Sequence, residues 1–294
     1  MEKERAKLCI GIIFALNILC ILPTAIFWGN ADGTDANIIF VVTSVIFMWF
    51  PTIATIITKK ITKDSFKVGV RPNIRKNIKY YMQALLFPGV FVCIGAIIYF
   101  ALFPHTPDWT LGYARSLIGD EIALPSSLTI PWVFLLAMGA TLIAPLIFVN
   151  HIFAFGEEYG WRGYILPKLQ SFMSNRKAAT VSGVLWGLGH APLICFGLQY
   201  GFGYPGFPYT GILMMTVFAT VIGIWFSYLT MQTKSVIAAS IAHGAINTIR
   251  GGPAFFAVVN TNMLLGPNPS GIIGMTGLII LALACFYKMK NSRR

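Results

Sequence analysis

The residues able to do chemistry are few, and they lie in the second half of the chain. The segment Gly156-Glu157-Glu158-Tyr159-Gly160-Trp161-Arg162 sets two carboxylates and a guanidinium at the end of an apolar run. An ionisable group inside such a run costs on the order of 3 kcal/mol on insertion scales, so each one needs a reason. Carboxylates near a helix carboxyl end also oppose the macrodipole. Glu158 and Arg162 are four residues apart and share a helical face, where they can pair; the pairing orients the glutamate and offsets its cost. Glu157 then points about 100° away, free for other work.

Two further faces carry polar groups. Trp186 and His190 stand four apart in Trp186-Gly-Leu-Gly-His190-Ala-Pro192, and His243 and Asn247 repeat the spacing further on. Gly187 and Gly189 are expected to remove bulk beside the imidazole, and Pro192 to disturb the backbone two residues later. Each feature has a bland reading. An intramembrane Asn is often glue between helices, a tandem Glu pair can be a solvated helix end, and His151 fits a packing role. On three helices of one bundle those explanations would have to hold independently, whereas a single site explains them together. Peptide hydrolysis needs a base, a proton donor to the leaving amine, and donors placed where the carbonyl oxygen gains charge; the set contains all three.

The elements that must position these residues are membrane helices. The 294 residues are 56% hydrophobic and 11% charged, with a mean hydropathy of +0.71; a soluble domain carries roughly 25% charged residues. Apolar runs near the ~20 residues needed to cross a bilayer recur at 8–28, 38–58, 80–102, 131–155, 177–196, 211–231, 235–249 and 271–287. The expected fold is therefore all-α and polytopic, with about eight transmembrane helices and both termini in the cytoplasm. The seventh run, Ser235 to Ile249, is short for a crossing, and a re-entrant segment is its rival.

A net charge of +12 invites a nucleic-acid reading, but the basic residues fall on one side of the spans. Three lie in the amino terminus, eight between Lys59 and Lys79, four between Arg162 and Lys177, one at Lys234 and four in the tail. Only Arg115 and Arg250 are left for the other face. The positive-inside rule makes the rich side cytoplasmic, so the bilayer and not nucleic acid is the partner implied. The first run is too long for a secretory leader and lacks a small-residue cleavage site, so it reads as a retained helix. Cys9, Cys20, Cys93, Cys195 and Cys285 show no paired spacing and read as packing residues.

Glu-Glu-x-x-x-Arg at 157–162, aromatic-x-x-x-His at 186–190 and His-x-x-x-Asn at 243–247, in that order on successive hydrophobic helices, resemble the CPBP family of intramembrane proteases. That family includes type II CAAX prenyl endopeptidases and the bacteriocin-processing or immunity proteins also called Abi. The resemblance implies Glu157 as the base that activates water together with His190, and His243 with Asn247 as stabilisers of the oxyanion. Glu158, Arg162 and Trp186 would be supporting residues; Trp186 stands where the family usually has Phe. Metal use is left open: Glu157, His190 and His243 could hold a catalytic zinc or could act on water directly.

The expectation is one membrane domain: helices 1–3 over 1–130, a protease-like core over 131–250, and a loop, last helix and basic tail over 251–294. It would cleave a peptide or protein, membrane-associated or prenylated, from a cavity reached from the cytoplasmic side of the cell membrane. The rival is a proton-coupled transporter or an immunity protein that cleaves nothing.

Overall fold

The computed structural model describes residues 1–29, 33–110, 112, 149–258 and 261–289. Regular structure among them is helical, apart from an isolated antiparallel bridge between Pro107 and Ala257. In hydrocarbon, each backbone N–H and C=O has to be satisfied inside its own segment, and a helix does this for any apolar sequence. The longer elements are α1 (Glu2–Gly29), α2 (Gly33–Phe47), α3 (Phe50–Ile61), α4 (Ile74–Leu102) and α5 (Val149–Gly160). A π-helical turn, Trp161–Ile165, leads into α6 (Leu166–Gln170), α7 (Asn175–Gly189) and α8 (Ala191–Ile194). Then come α9 (Tyr209–Thr233), α10 (Val236–Ile249), a 3₁₀ turn at Gly252–Phe256, and α11 (Thr276–Lys288).

Among the described residues, three helical stretches are long and apolar enough to cross a membrane: Val41–Ile61, Ile74–Leu102 and Tyr209–Thr233. They coincide with the second, third and sixth runs read from the sequence. Most of the fourth run, up to residue 148, lies outside the described residues. The 14 residues of α10 rise only about 21 Å at 1.5 Å each, short of ~30 Å of hydrocarbon. The 15 of α7 reach about 22 Å. Such short helices are tolerated because protein rather than lipid surrounds them, and ten of the α10 residues are buried.

Serine caps start both short helices: Ser174 Oγ accepts from Lys177 N–H, and Ser235 Oγ from Ile237 N–H at 3.2 Å. Glycines then let backbones touch. A Cβ on Gly187 would sit 2.4 Å from the Thr216 Cα, and one on Gly183 2.7 Å from that of Thr220, so α7 lies directly against α9. The expectation that both glycines make room beside the imidazole is corrected for Gly187, which faces α9; Gly189 borders a small space that His190 and Glu157 also line. His151 has the packing role foreseen for it, since a Cβ on Gly244 would fall 2.1 Å from its Nδ1. The described residues contain no disulfide.

The helix ends sort into two groups. At one end, Arg176 donates to the carbonyls of Phe286 and Tyr287, both at 2.9 Å, Tyr80 reaches Gln232, and Val236 N–H meets Gly69 O. Lys168 pairs there with Asp64 at 2.6 Å and with Glu2. Burial opposes the charge of Asp64, but hydrogen bonds from Lys168, the Phe66 N–H and Tyr164 outweigh it and hold the carboxyl at about 2. Here α1, α4, α7 and α10 begin and α3, α9 and α11 finish. The opposite end is tied by Asp108 N–H to Phe256 O, by Tyr200 Oη to Ser270 O, and by Ala254 N–H to Asn268 Oδ1.

Candidate active site

The chain supplies the site from α5, α7 and α10. Glu157 and Glu158 are adjacent on the last turn of α5, 3% and 0% exposed, and they part as the helical geometry requires. Glu158 turns to Arg162, whose Nη1 donates to Oε1 at 3.2 Å, with both side chains fully buried. The helix reaches Arg162 through the π turn, a bulge that favours close approach at functional positions. Gly160 is required for that path, since a Cβ there would lie 2.4 Å from Pro51 Cβ.

The same Glu158 Oε1 accepts from His243 Nδ1 at 2.9 Å. A carboxylate only accepts, so Nδ1 carries the proton and Nε2 is the atom His243 has left to offer. His190 behaves in parallel: its Nδ1 lies 2.9 Å from the Trp186 carbonyl oxygen, which leaves Nε2 with its lone pair in the neutral ring. Trp186 donates its indole N–H to Glu157 Oε2. Its ring meets His190 edge-on at 5.8 Å and His243 at 5.1 Å, while Arg162 stacks on it at 4.3 Å. Trp186 is thus the shared contact of Glu157, Arg162, His190 and His243.

Glu157, Trp186, His190, His243 and Asn247 all line one cavity of about 70 Å³, space for a few waters at ~10–15 Å³ apiece. Glu158 and Arg162 stand behind it and do not line it. Two parts of the lining escape a sequence reading. Ser44, Phe47 and Met48 come from the second run, where nothing polar stands out, and Phe47 packs on His190 at 5.7 Å. Arg250 follows Asn247 by three residues and lines the same cavity, although the sequence assigns it to an external connection. Its place one turn beyond Asn247 on the His243 face was the available signal.

Among the described residues no group of three His, Cys, Asp and Glu side chains is arranged to hold a metal ion. The indole N–H on Glu157, with the two imidazoles packed against that same ring, does not make the three-ligand set raised from the sequence. The cavity is also lined toward the end of the bundle opposite the basic segments. His190 stands where α7 finishes, and Asn247 and Arg250 where α10 finishes.

Comparison with known proteins finds likeness to CAAX prenyl proteases. Residues 130–249, which contain every site residue named from the sequence, match the family described as Type II CAAX prenyl endopeptidase Rce1-like. Over 111 residues the chain is 34% identical to CAAX prenyl protease 2 of Methanococcus maripaludis, an alignment that spans 37% of this chain and 40% of that protein. The segment 130–249 is thus similar to a Rce1-like CAAX-protease domain, within an integral membrane protein with apolar helices.

Proposed function

We propose that this protein is an intramembrane endopeptidase whose base is Glu157, acting on water with no metal step. The observation that carries the reading is the convergence of Glu157, His190, His243 and Asn247 on one small cavity inside an apolar bundle, in a segment that matches a protease family. The Trp186 N–H holds one carboxylate oxygen of Glu157 and leaves the other for a water molecule. His190 Nε2 accepts from the same water and orients it. As the water oxygen attacks the peptide carbonyl carbon, its proton passes to Glu157 and charge gathers on the carbonyl oxygen. The Asn247 amide and the Nε2–H of a doubly protonated His243 stabilise that charge. Glu158 holds His243 from behind through Nδ1–H, and Arg162 holds Glu158 in place. Collapse of the intermediate breaks the C–N bond, and the proton on Glu157 goes to the leaving amine.

The reading extends to topology: eight spans, both termini cytoplasmic in the cell membrane, and a core over 131–250. The substrate is a peptide or protein segment at the membrane. A transporter has less support, because the polar groups gather in one cavity and no chain of them crosses the bundle among the described residues. Mass spectrometry of a peptide library incubated with purified protein and with Glu157→Gln tests the proposal. Cleavage by the first and not the second is expected, and equal cleavage by both rejects it.

A further inference from the structure

We propose that Asn17, in the middle of α1, is a positioning residue of the active site. One end of its amide ties down the helix end that carries His190, and the other holds a single fixed water against Glu157. The proposal rests on the protease reading above and extends that site to a helix outside the segment 130–249 that matches the protease family.

Asn17 is the only amide side chain between Lys7 and Trp28, in an otherwise apolar run. A polar group in such a run has to find its partners inside the protein. The residue is 2% exposed, and its Nδ2 donates to the Gly189 carbonyl oxygen at 3.0 Å. Gly189 is the last residue of α7 and His190 is its cap. The carbonyl that Asn17 takes is therefore one of those that a helix end leaves without an N–H of its own. Holding it fixes the backbone immediately before the His190 imidazole.

That bond alone would make Asn17 glue between two helices, and it uses only half of the amide. Asn17 Oδ1 is buried with no hydrogen-bond partner among the described residues. Buried polar atoms are nearly always satisfied, by protein or by ordered water. Asn17 borders a space of about 10 Å³ together with Trp161, Gly189, Glu157 and His190, which is room for one water. Phe47, Glu157, Trp186 and His190 line both this space and the larger cavity, so it is a side chamber of the active site. A water needs two acceptors for its hydrogens, and the chamber offers Asn17 Oδ1 and the Glu157 carboxylate. Trp186 occupies Oε2 of that carboxylate. Oε1 has two lone pairs, one for the fixed water and one for the water that attacks. Glu157 is then braced from two sides, while the same Asn17 amide keeps His190 in place through Gly189.

The test pairs kinetics with a structure. Asn17→Leu keeps the size of the side chain and removes both hydrogen bonds. Its kcat should fall by roughly 10-fold to 100-fold, as for a misplacement of about 1 Å between reacting groups, with KM little changed. A structure of the wild-type protein in lipid, at a resolution that shows ordered waters, should hold one water within hydrogen-bond distance of both Asn17 Oδ1 and Glu157. Asn17→Leu should lack it. An empty or apolar-filled chamber in the wild type overturns the proposal, and so does an Asn17→Leu variant of wild-type kcat, which would leave Asn17 as helix glue. If Asn17→Leu does not fold, the wild-type water decides. A wild-type protein that cleaves nothing removes the protease reading itself, whereas cleavage by a wild type without the water removes only the role of Asn17.

Discussion

Trp186 donates its indole N–H to Oε2 of Glu157 and so ties the proposed base of α5 to the histidine helix α7. The ring also meets both imidazoles. Trp186→Phe keeps an aromatic body against His190 and His243 and removes only the donor. A hydrogen bond to a charged group contributes about 1.5–3 kcal/mol to stability, so Tm should drop, and with the base no longer held kcat should fall by a comparable factor, roughly 10-fold to 100-fold. Steady-state kinetics beside thermal unfolding in detergent checks this. An unchanged kcat would leave the indole a packing residue.

Glu158 and Arg162 hold the opposite balance. Glu158 Oε1 serves both Arg162 and His243, while its Oε2 and the Nε and Nη2 of Arg162 have no hydrogen-bond partner among the described residues. A buried charge left alone is destabilising by about 3–5 kcal/mol. Glu158→Gln should therefore lower Tm sharply as well as activity, whereas Glu157→Gln, which faces the cavity, should lower activity alone. Replacing the pair together, with Glu158→Gln and Arg162→Met, should recover much of the lost stability without recovering turnover. A Glu158→Gln variant of wild-type Tm would contradict the supporting role.

At the basic end of the bundle, Asp64 makes stability depend on acid. Its folded value of about 2 lies below the ordinary 3.8. Its contribution is therefore fully present above about pH 4 and is lost as pH falls through 2. Asp64→Asn should be less stable than the parent by about 1–3 kcal/mol at neutral pH, the range for charge-assisted hydrogen bonds. The difference should shrink below pH 3. Thermal unfolding of both proteins at pH 7 and pH 3 measures it, and a gap that widens in acid would reverse the sign.

Because the donor set does not form a metal site, turnover should survive a strong chelator. Dialysis against one, followed by metal analysis and a rate measurement, tests that directly. Loss of activity that returns on adding zinc would require side chains to rearrange around Glu157.

The polar faces were legible because helical period alone places i and i+4 residues together. The short seventh element was legible for a similar reason, as its apolar run stops at Ile249. What sequence could not give was contact between residues far apart in the chain. Lys168 reads as one more topology charge until α6 brings it to Asp64 and Glu2. Arg250 reads as a loop cation until α10 carries it into the cavity. The level of the cavity along the helices was not legible for the same reason. Charge counting orients the helices, but the level of the site along them depends on which residues of α2, α7 and α9 come to the same height.

Asn247 and Glu157 line the same cavity, yet their removal should differ in kind. Glu157 takes the proton that makes water nucleophilic, and no other carboxylate among the described residues lines the cavity, so Glu157→Gln should abolish turnover. Asn247 supplies one of two donors to the oxyanion, and His243 remains when it is gone. Losing a single such donor costs ~100-fold to ~1000-fold in kcat. KM should change little, because the donor acts on charge that develops only in the transition state. Cleavage rates of Glu157→Gln and Asn247→Ala in liposomes, with substrate binding measured on both, separate the roles. An Asn247→Ala enzyme that loses binding rather than kcat would place Asn247 in substrate recognition instead of at the oxyanion.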